Sequence, residues 1–221
     1  LIREFPMLVV VAVIVSIIIK TFLVQFFYIP SGSMENTLLV NDRVAVNKLA
    51  TFFTDVKRGE VVVFRDTAGW LPEEVSDGNG GIINRFRSAL VFIGILPDPA
   101  KQYLIKRVIG VGGDEIVCCD KENRLSINGV AIDEPYVFPG DKPSESTFKV
   151  TVPEGFIWVM GDHRGASADS RFHTDDANRG FVPLDAVTGR AFAVVWPIKN
   201  ITFLSSFEGL LNESKSALSR Q

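Results

Sequence analysis

Apolar residues are spread unevenly along this chain. They run almost unbroken from Phe5 to Ile19 (FPMLVVVAVIVSIII) and resume after Lys20 as TFLVQFFYI, ending at Ile29. As one helix, residues 5–29 would reach about 37 Å, more than the ~30 Å thickness of a bilayer's hydrocarbon core. A secretory signal would close on small residues, and Gln25-Phe26-Phe27-Tyr28 does not, so the run reads as an uncleaved anchor. Lys20 is costly at mid-bilayer and belongs near an interface, with Phe26, Phe27 and Tyr28 close to the same boundary, so the anchor should end soon after Lys20. Residues 89–96 are too short to span, and residues 201–221 are broken by polar positions. Everything after about residue 29 should therefore lie on one side of the membrane. Only Arg3 bears on the positive-inside rule, and orientation stays open at this point.

Beyond the anchor the period changes. Short β-rich runs bounded by turn signals cover residues 43–47, 60–64, 103–111, 115–119, 124–128, 148–152, 156–160 and 188–196. Residues 60–64 and 188–196 are nearly continuous apolar sequence, as in a sheet covered on both faces. Asn128-Gly129, between LSI and VAI, is a hairpin signal. The body should be mainly antiparallel β. Residues 67–102 differ in character: turn chemistry at residues 77–81 precedes NRFRSALVFIGILPDP, which reads as a surface insertion with one short helix. A membrane-surface helix is the sharper alternative. Residues 138–146 form another loop, and no internal repeat is evident.

Composition removes several classes of function. The 23 basic residues are interspersed among 26 acidic ones, for a net charge of -3, so no basic footprint for nucleic acid exists. The two cysteines, Cys118 and Cys119, are adjacent, which is neither metal-ligand nor disulfide-framework spacing, and two buried thiols on a strand are expected. With only His163 and His173 to offer imidazole, no zinc pattern is present, and no metal or cofactor is expected.

Three segments could carry chemistry. In Ile29-Pro30-Ser31-Gly32-Ser33-Met34, Gly32 permits a turn that exposes one serine and aims backbone N–H groups at an oxyanion; the plain alternative is an ordinary loop. In Tyr103-Leu104-Ile105-Lys106-Arg107-Val108, alternation sends the two cations to opposite faces, so one of them is buried or faces a cleft. A buried lysine loses affinity for its proton and can serve as a base; the alternative is an edge strand with both cations in water. Residues 160–171 (MGDHRGASADSR) form a polar, Gly-rich loop straight after a strand. It suits an active-site wall, an acidic turn closed by arginines, or a calcium loop, although its ligand spacing is not that of an EF-hand.

Taken in order, these segments resemble the type I signal peptidase family, serine proteases with a Ser/Lys dyad. The resemblance covers most of the chain: an anchor, PSGSM with Thr37-Leu38, Asp42, RGEVVVF from Arg58, IKRVIG from Ile105 with Gly113-Asp114, the GD-R--S-DSR loop, and Gly180-Phe181-Val182-Pro183 with Gly189-Arg190. It implies one N-terminal transmembrane helix followed by an antiparallel β-sheet catalytic domain with a smaller β-rich subdomain. The divisions are an anchor at 1–28, a catalytic domain at 29–200 (insertion 67–102, subdomain 116–156) and a C-terminal tail at 201–221. Ser33 would be the nucleophile and Lys106 the general base. Ser31 and the Ser33 N–H would form the oxyanion hole, and Ser167 would orient the amine. Asp169 and Arg171 would pair as structural support, with Arg107 in a supporting role. Phe27, Ile29 and Pro30 on one side and Tyr103, Leu104 and Ile105 on the other would flank an extended substrate.

The resemblance further implies cleavage after small residues (Ala-x-Ala type) in the signal peptides of secreted preproteins. It places a single-pass protein in the cytoplasmic membrane with its catalytic domain outside, in contact with the lipid bilayer and the protein export machinery. Three positions depart from the family pattern: Asn36 where proline is common, Asn41 in place of glycine, and His163 in place of asparagine. The first two read as tolerable loop changes. His163 allows a second scheme, with histidine as base beside Asp162 or Asp169, but it does not occupy the lysine's strand position. A third scheme is an anchored, non-catalytic β-domain that binds exported peptides.

Overall fold

The computed structural model describes residues 7–11, 15, 23–72 and 102–207. Residues 7–11 and 15 are helical, and among the described residues no helix is long and apolar enough to cross a membrane. The rest of the expected anchor lies outside the described residues, as do the helix and most of the insertion expected at 67–102.

The anchor boundary drawn at residue 28 is corrected by the first strand. Val24–Tyr28 is β1, paired antiparallel with β2 (Arg43–Asn47) from Val24↔Asn47 to Tyr28↔Arg43. An apolar run by itself does not distinguish helix from strand, and the aromatic, β-branched content of VQFFY suits a pleated surface. A short helix, α1 (Ala50–Phe53), follows β2. The main sheet continues with β3 (Val61–Arg65), β4 (Tyr103–Val111), β9 (Phe156–Met160), β10 (Val182–Pro183) and β11 (Val187–Trp196). Their order is β1-β2-β11-β3-β4-β9-β10, and β12 (Thr202–Phe203) pairs beside β11. The start of the expected C-terminal tail is thus built into the sheet.

Alternation explains the apolar run of β3. Val61 and Val63 enter one core with Met34, Leu38 and Val44, while Val62 and Phe64 enter another with Val108 and Val159, so both faces are covered. The sheet also curls. Although β1 and β4 are separated by three strands in its order, the rings of Phe27 and Tyr103 meet edge to face at 5.1 Å.

A second antiparallel sheet has the order β7-β6-β5-β8, formed by β5 (Glu115–Cys118), β6 (Leu125–Ile127), β7 (Val130–Ala131) and β8 (Phe148–Thr151). Ile116, Leu125 and Ile127 pack with Ile109, Trp158 and Met160 of the main sheet. The β6–β7 turn carries Asn128 at φ 53° and Gly129 at φ 80°, the paired positive values that a two-residue hairpin needs. The expectation of two thiols is corrected: Cys118 and Cys119 are joined to each other. Strand β5 ends at Cys118, so Cys119 is not carried to the opposite face by continued pleating.

Candidate active site

The centre of the site is built by a turn and a strand. After β1, Ile29 is fixed by backbone bonds with residues on the far side of the turn: its N–H donates to Asp42 O at 2.9 Å, and its carbonyl accepts from Asn41 N at 2.9 Å. Met34 and Leu38 are fully buried and anchor the intervening turn in the core. Just before Met34, Ser33 is buried, and Ser31 is exposed with its Oγ 3.5 Å from Ser33 Oγ.

β4 supplies the partner. Its first residues pair with β3 through Val62↔Lys106 and Val61↔Arg107. Lys106 Nζ lies 2.8 Å from Ser33 Oγ, and both residues are buried. Burial pushes the Lys106 ammonium down to about 8 from its ordinary 10.5. Asp169 and then Asp162 oppose the fall, and Arg171 adds to it. A neutral amine within hydrogen-bond reach of a serine hydroxyl can accept that hydroxyl's proton.

The polar loop after β9 forms the wall. Asp169 Oδ2 accepts from Gly161 N at 2.9 Å, and its carboxylate is held by Arg171 through Nε at 2.8 Å and Nη2 at 2.9 Å. Asp162 is fully buried and gripped by Arg107. Arg107 also donates to Gly59 O at 2.7 Å and stacks over Tyr136. Ser167 is brought to this wall with a buried Oγ that makes no hydrogen bond to any described residue, so the expected bond to the Lys106 amine is not formed here. Gly161 is what admits it. A Cβ at that position would strike Ser167 Oγ and Ser33 O.

The residues expected to flank a substrate lie at the start of β4 and at the end of β1 with the two residues after it. On β4, Tyr103, Leu104 and Ile105 pair with β3 on one side, while β9 joins β4 only from Arg107↔Met160 onward. On the other side Phe27 lies on β1 and is buried, and just beyond the strand Ile29 is buried and Pro30 exposed.

His163 is close to Ser33 through its backbone, whose N–H donates to Ser33 O at 3.1 Å. Its imidazole points elsewhere, stacked on Phe138 with ring centroids 4.1 Å apart. His173 stacks on Trp70.

Comparison with known proteins fits this arrangement. The family model described as "Signal peptidase, peptidase S26" matches residues 2–196. The chain is 40% identical over 215 residues to "Signal peptidase I" of Mycobacterium tuberculosis, covering 88% of this chain and 72% of that protein. It is 38% identical over 221 residues to the Mycobacterium leprae protein named "Probable signal peptidase I", covering 88% and 76%. The chain belongs to the signal peptidase family. It is accordingly a hydrolase of peptidase family S26.

Within this signal peptidase the positions that depart from the family pattern acquire local reasons. Asn41 has φ 74° and Asn36 φ 83°. Asparagine is among the few residues besides glycine that visit this region readily, which accounts for Asn41 standing where glycine is usual. At Asn36 the same geometry excludes proline, whose φ is locked near -65°. The Asn36 side chain donates to Tyr136 O at 3.0 Å and Val137 O at 3.2 Å. The Asn36 side chain thus ties this turn to residues 136 and 137. Sequence reading also passed over Gly161 as a site residue. Its signal was a glycine placed directly between a buried apolar strand and the acidic loop.

Proposed function

We propose that this chain is a membrane-bound serine endopeptidase that removes N-terminal signal peptides from exported preproteins, with Ser33 as nucleophile and Lys106 as general base. The observation that carries this reading is the 2.8 Å approach of Lys106 Nζ to Ser33 Oγ in a buried setting that lowers the lysine to about 8. Neutral Lys106 accepts the Ser33 proton as Oγ attacks the scissile carbonyl, and the protonated amine then donates to the leaving nitrogen. A water activated by the neutral amine resolves the acyl-enzyme.

The Ser33 N–H and the Ser31 hydroxyl stabilise the oxyanion. Asp169 and Arg171 hold the loop that carries Ser167, whose unpaired hydroxyl is available to orient the amine. The substrate lies as an added strand between β1 and the start of β4, where β9 pairs with β4 only from Arg107 onward, and presents small side chains ahead of the scissile bond. The apolar segment before β1 anchors the enzyme in the cytoplasmic membrane with the β-domain outside. A preprotein then meets Ser33 while its own hydrophobic segment is still in the bilayer.

The test is cleavage of a preprotein in detergent by Ser33→Ala and Lys106→Ala variants, with covalent labelling of the wild-type enzyme by a serine-reactive probe. Both variants should be inactive, and the label should map to Ser33. Near-normal turnover by Lys106→Ala would overturn the dyad, and absence of any cleavage or label in the wild type would favour a peptide-binding domain.

A further inference from the structure

We propose that His163 is a positioning residue for Ser33, acting through Glu35. Three chain segments meet around its imidazole. The first is the turn that carries Ser33, where Glu35 N donates to Gly32 O at 3.0 Å. The Glu35 carboxylate folds back over this turn, so that a Cβ placed on Gly32 would lie 2.9 Å from Glu35 Oε1. The second is the segment that contains Phe138 and Asp141. The third is the loop after β9, to which His163 itself belongs.

The contacts of His163 reach all three. Its buried Nδ1 is 3.2 Å from Glu35 Oε2, a close contact outside hydrogen-bond alignment in this structure, and its Nε2 is 4.0 Å from Asp141 Oδ2. One face lies against Phe138, with the ring planes 14° apart. Its backbone N–H holds the Ser33 carbonyl. The other charges nearby are already engaged: Asp162 by Arg107, and Arg164 by Glu134. Asp141 Oδ2 also accepts from Gly165 N at 2.9 Å, which ties the second segment to the third.

Two features mark this as a clamp rather than a base. The imidazole nitrogens face Glu35 and Asp141, and the ring is flat against an aromatic. Glu35 follows Ser33 by two residues, so a side chain fixed by His163 fixes the turn that aims the nucleophile. Asn36 strengthens the same junction from the next position by donating to Tyr136 O and Val137 O. Because the strands expected to flank substrate are β1 and β4, loosening this clamp should disturb the alignment of Ser33 and leave substrate affinity nearly unchanged.

This inference rests on Ser33 being the nucleophile, and its test is separable from that reading. Steady-state cleavage of a preprotein in detergent is measured for His163→Ala, Glu35→Ala, the double variant and His163→Gln, beside Ser33→Ala. A nucleophile displaced by a fraction of an ångström should lower kcat by about tenfold, with KM changed less than about twofold. The double variant should be no slower than the worse single one, and His163→Gln, which can still reach Glu35 with an amide N–H, should recover part of the loss. If His163→Ala fails to fold, Glu35→Gln and Glu35→Ala measured against each other carry the same comparison. Additive losses, a loss confined to KM, or wild-type kcat in His163→Ala would each overturn the clamp. Loss as complete as in Ser33→Ala would overturn it too, by placing the imidazole among the reacting groups. In each of these outcomes a silent Ser33→Ala variant leaves the nucleophile in place.

Discussion

Arg107 grips Asp162 with two parallel hydrogen bonds, Nε to Oδ1 at 2.8 Å and Nη2 to Oδ2 at 2.6 Å, and neither side chain is reached by solvent. The residue before Arg107 is Lys106, so adjacent positions of one strand hold the proposed base and the tie that fixes the wall opposite it. Arg107→Ala would leave a carboxylate buried and unpaired and should cost about 3–5 kcal/mol. Arg107→Lys should recover little, because an ammonium cannot make the forked contact. Denaturant midpoints of the three proteins check this, and a loss under about 1 kcal/mol in Arg107→Ala would contradict it.

The proton on Lys106 links activity and stability to pH. With the folded lysine at about 8, kcat/KM should rise as pH increases and level off above about 8. Between about 8 and 10.5 the unfolded chain keeps this proton and the folded chain does not, so this group makes the fold more stable as pH rises through that window. Below about 8 both states carry it, and burial costs on the order of 3 kcal/mol. Lys106→Met should thus be inactive yet more stable than the parent at pH 7, with the advantage shrinking toward pH 10.5. Unfolding curves at a series of pH values decide it; an advantage that does not shrink would contradict the linkage.

Asn36 and Asn41 separate two kinds of departure from the family pattern. Asn41→Gly keeps a residue that accepts positive φ and should change stability by less than about 1 kcal/mol. Asn36→Pro forces a locked φ into a position that needs 83° and removes two side-chain hydrogen bonds, so it should destabilise by well over about 1 kcal/mol. Thermal melts of the two variants should differ accordingly, and equal melting temperatures would contradict the backbone argument.

Gly161→Ala tests the packing behind Ser33. The added methyl strikes the Ser33 carbonyl and the Ser167 hydroxyl, and backbone cannot yield as a flexible side chain does. Turnover should fall by on the order of a hundredfold. A preprotein cleavage assay with wild-type rates would show that the turn relaxes freely.

Much of the sheet was legible because alternation and turn chemistry are local signals. Residues 103–111 and 156–160 were read with the boundaries that β4 and β9 have, and Asn128-Gly129 announced its hairpin. β1 was not legible, since VQFFY continues an apolar run and apolarity by itself does not report period. The two-residue strands β10 and β12 carry too few positions for any pattern. The approach of Lys106 to Ser33 joins residues 73 apart in sequence. No local rule reaches so far, and only the resemblance brought the two together. The environment of His163 was hidden for the same reason: Glu35, Phe138 and Asp141 come from two distant turns and meet only when both sheets have formed.

The segment after β12 gives the site a place in time. Ser205 O accepts from Arg107 Nη1 at 3.4 Å, and the Phe207 ring lies 5.2 Å from the same guanidinium. Leu204 packs into the core that holds Met34. Residues beside the serine leave the ribosome some 170 residues before the cover over Arg107. A nascent chain can thus display its serine long before the arginine beside the lysine is roofed over. Full activity should appear only once residues 204–207 have emerged and closed over Arg107.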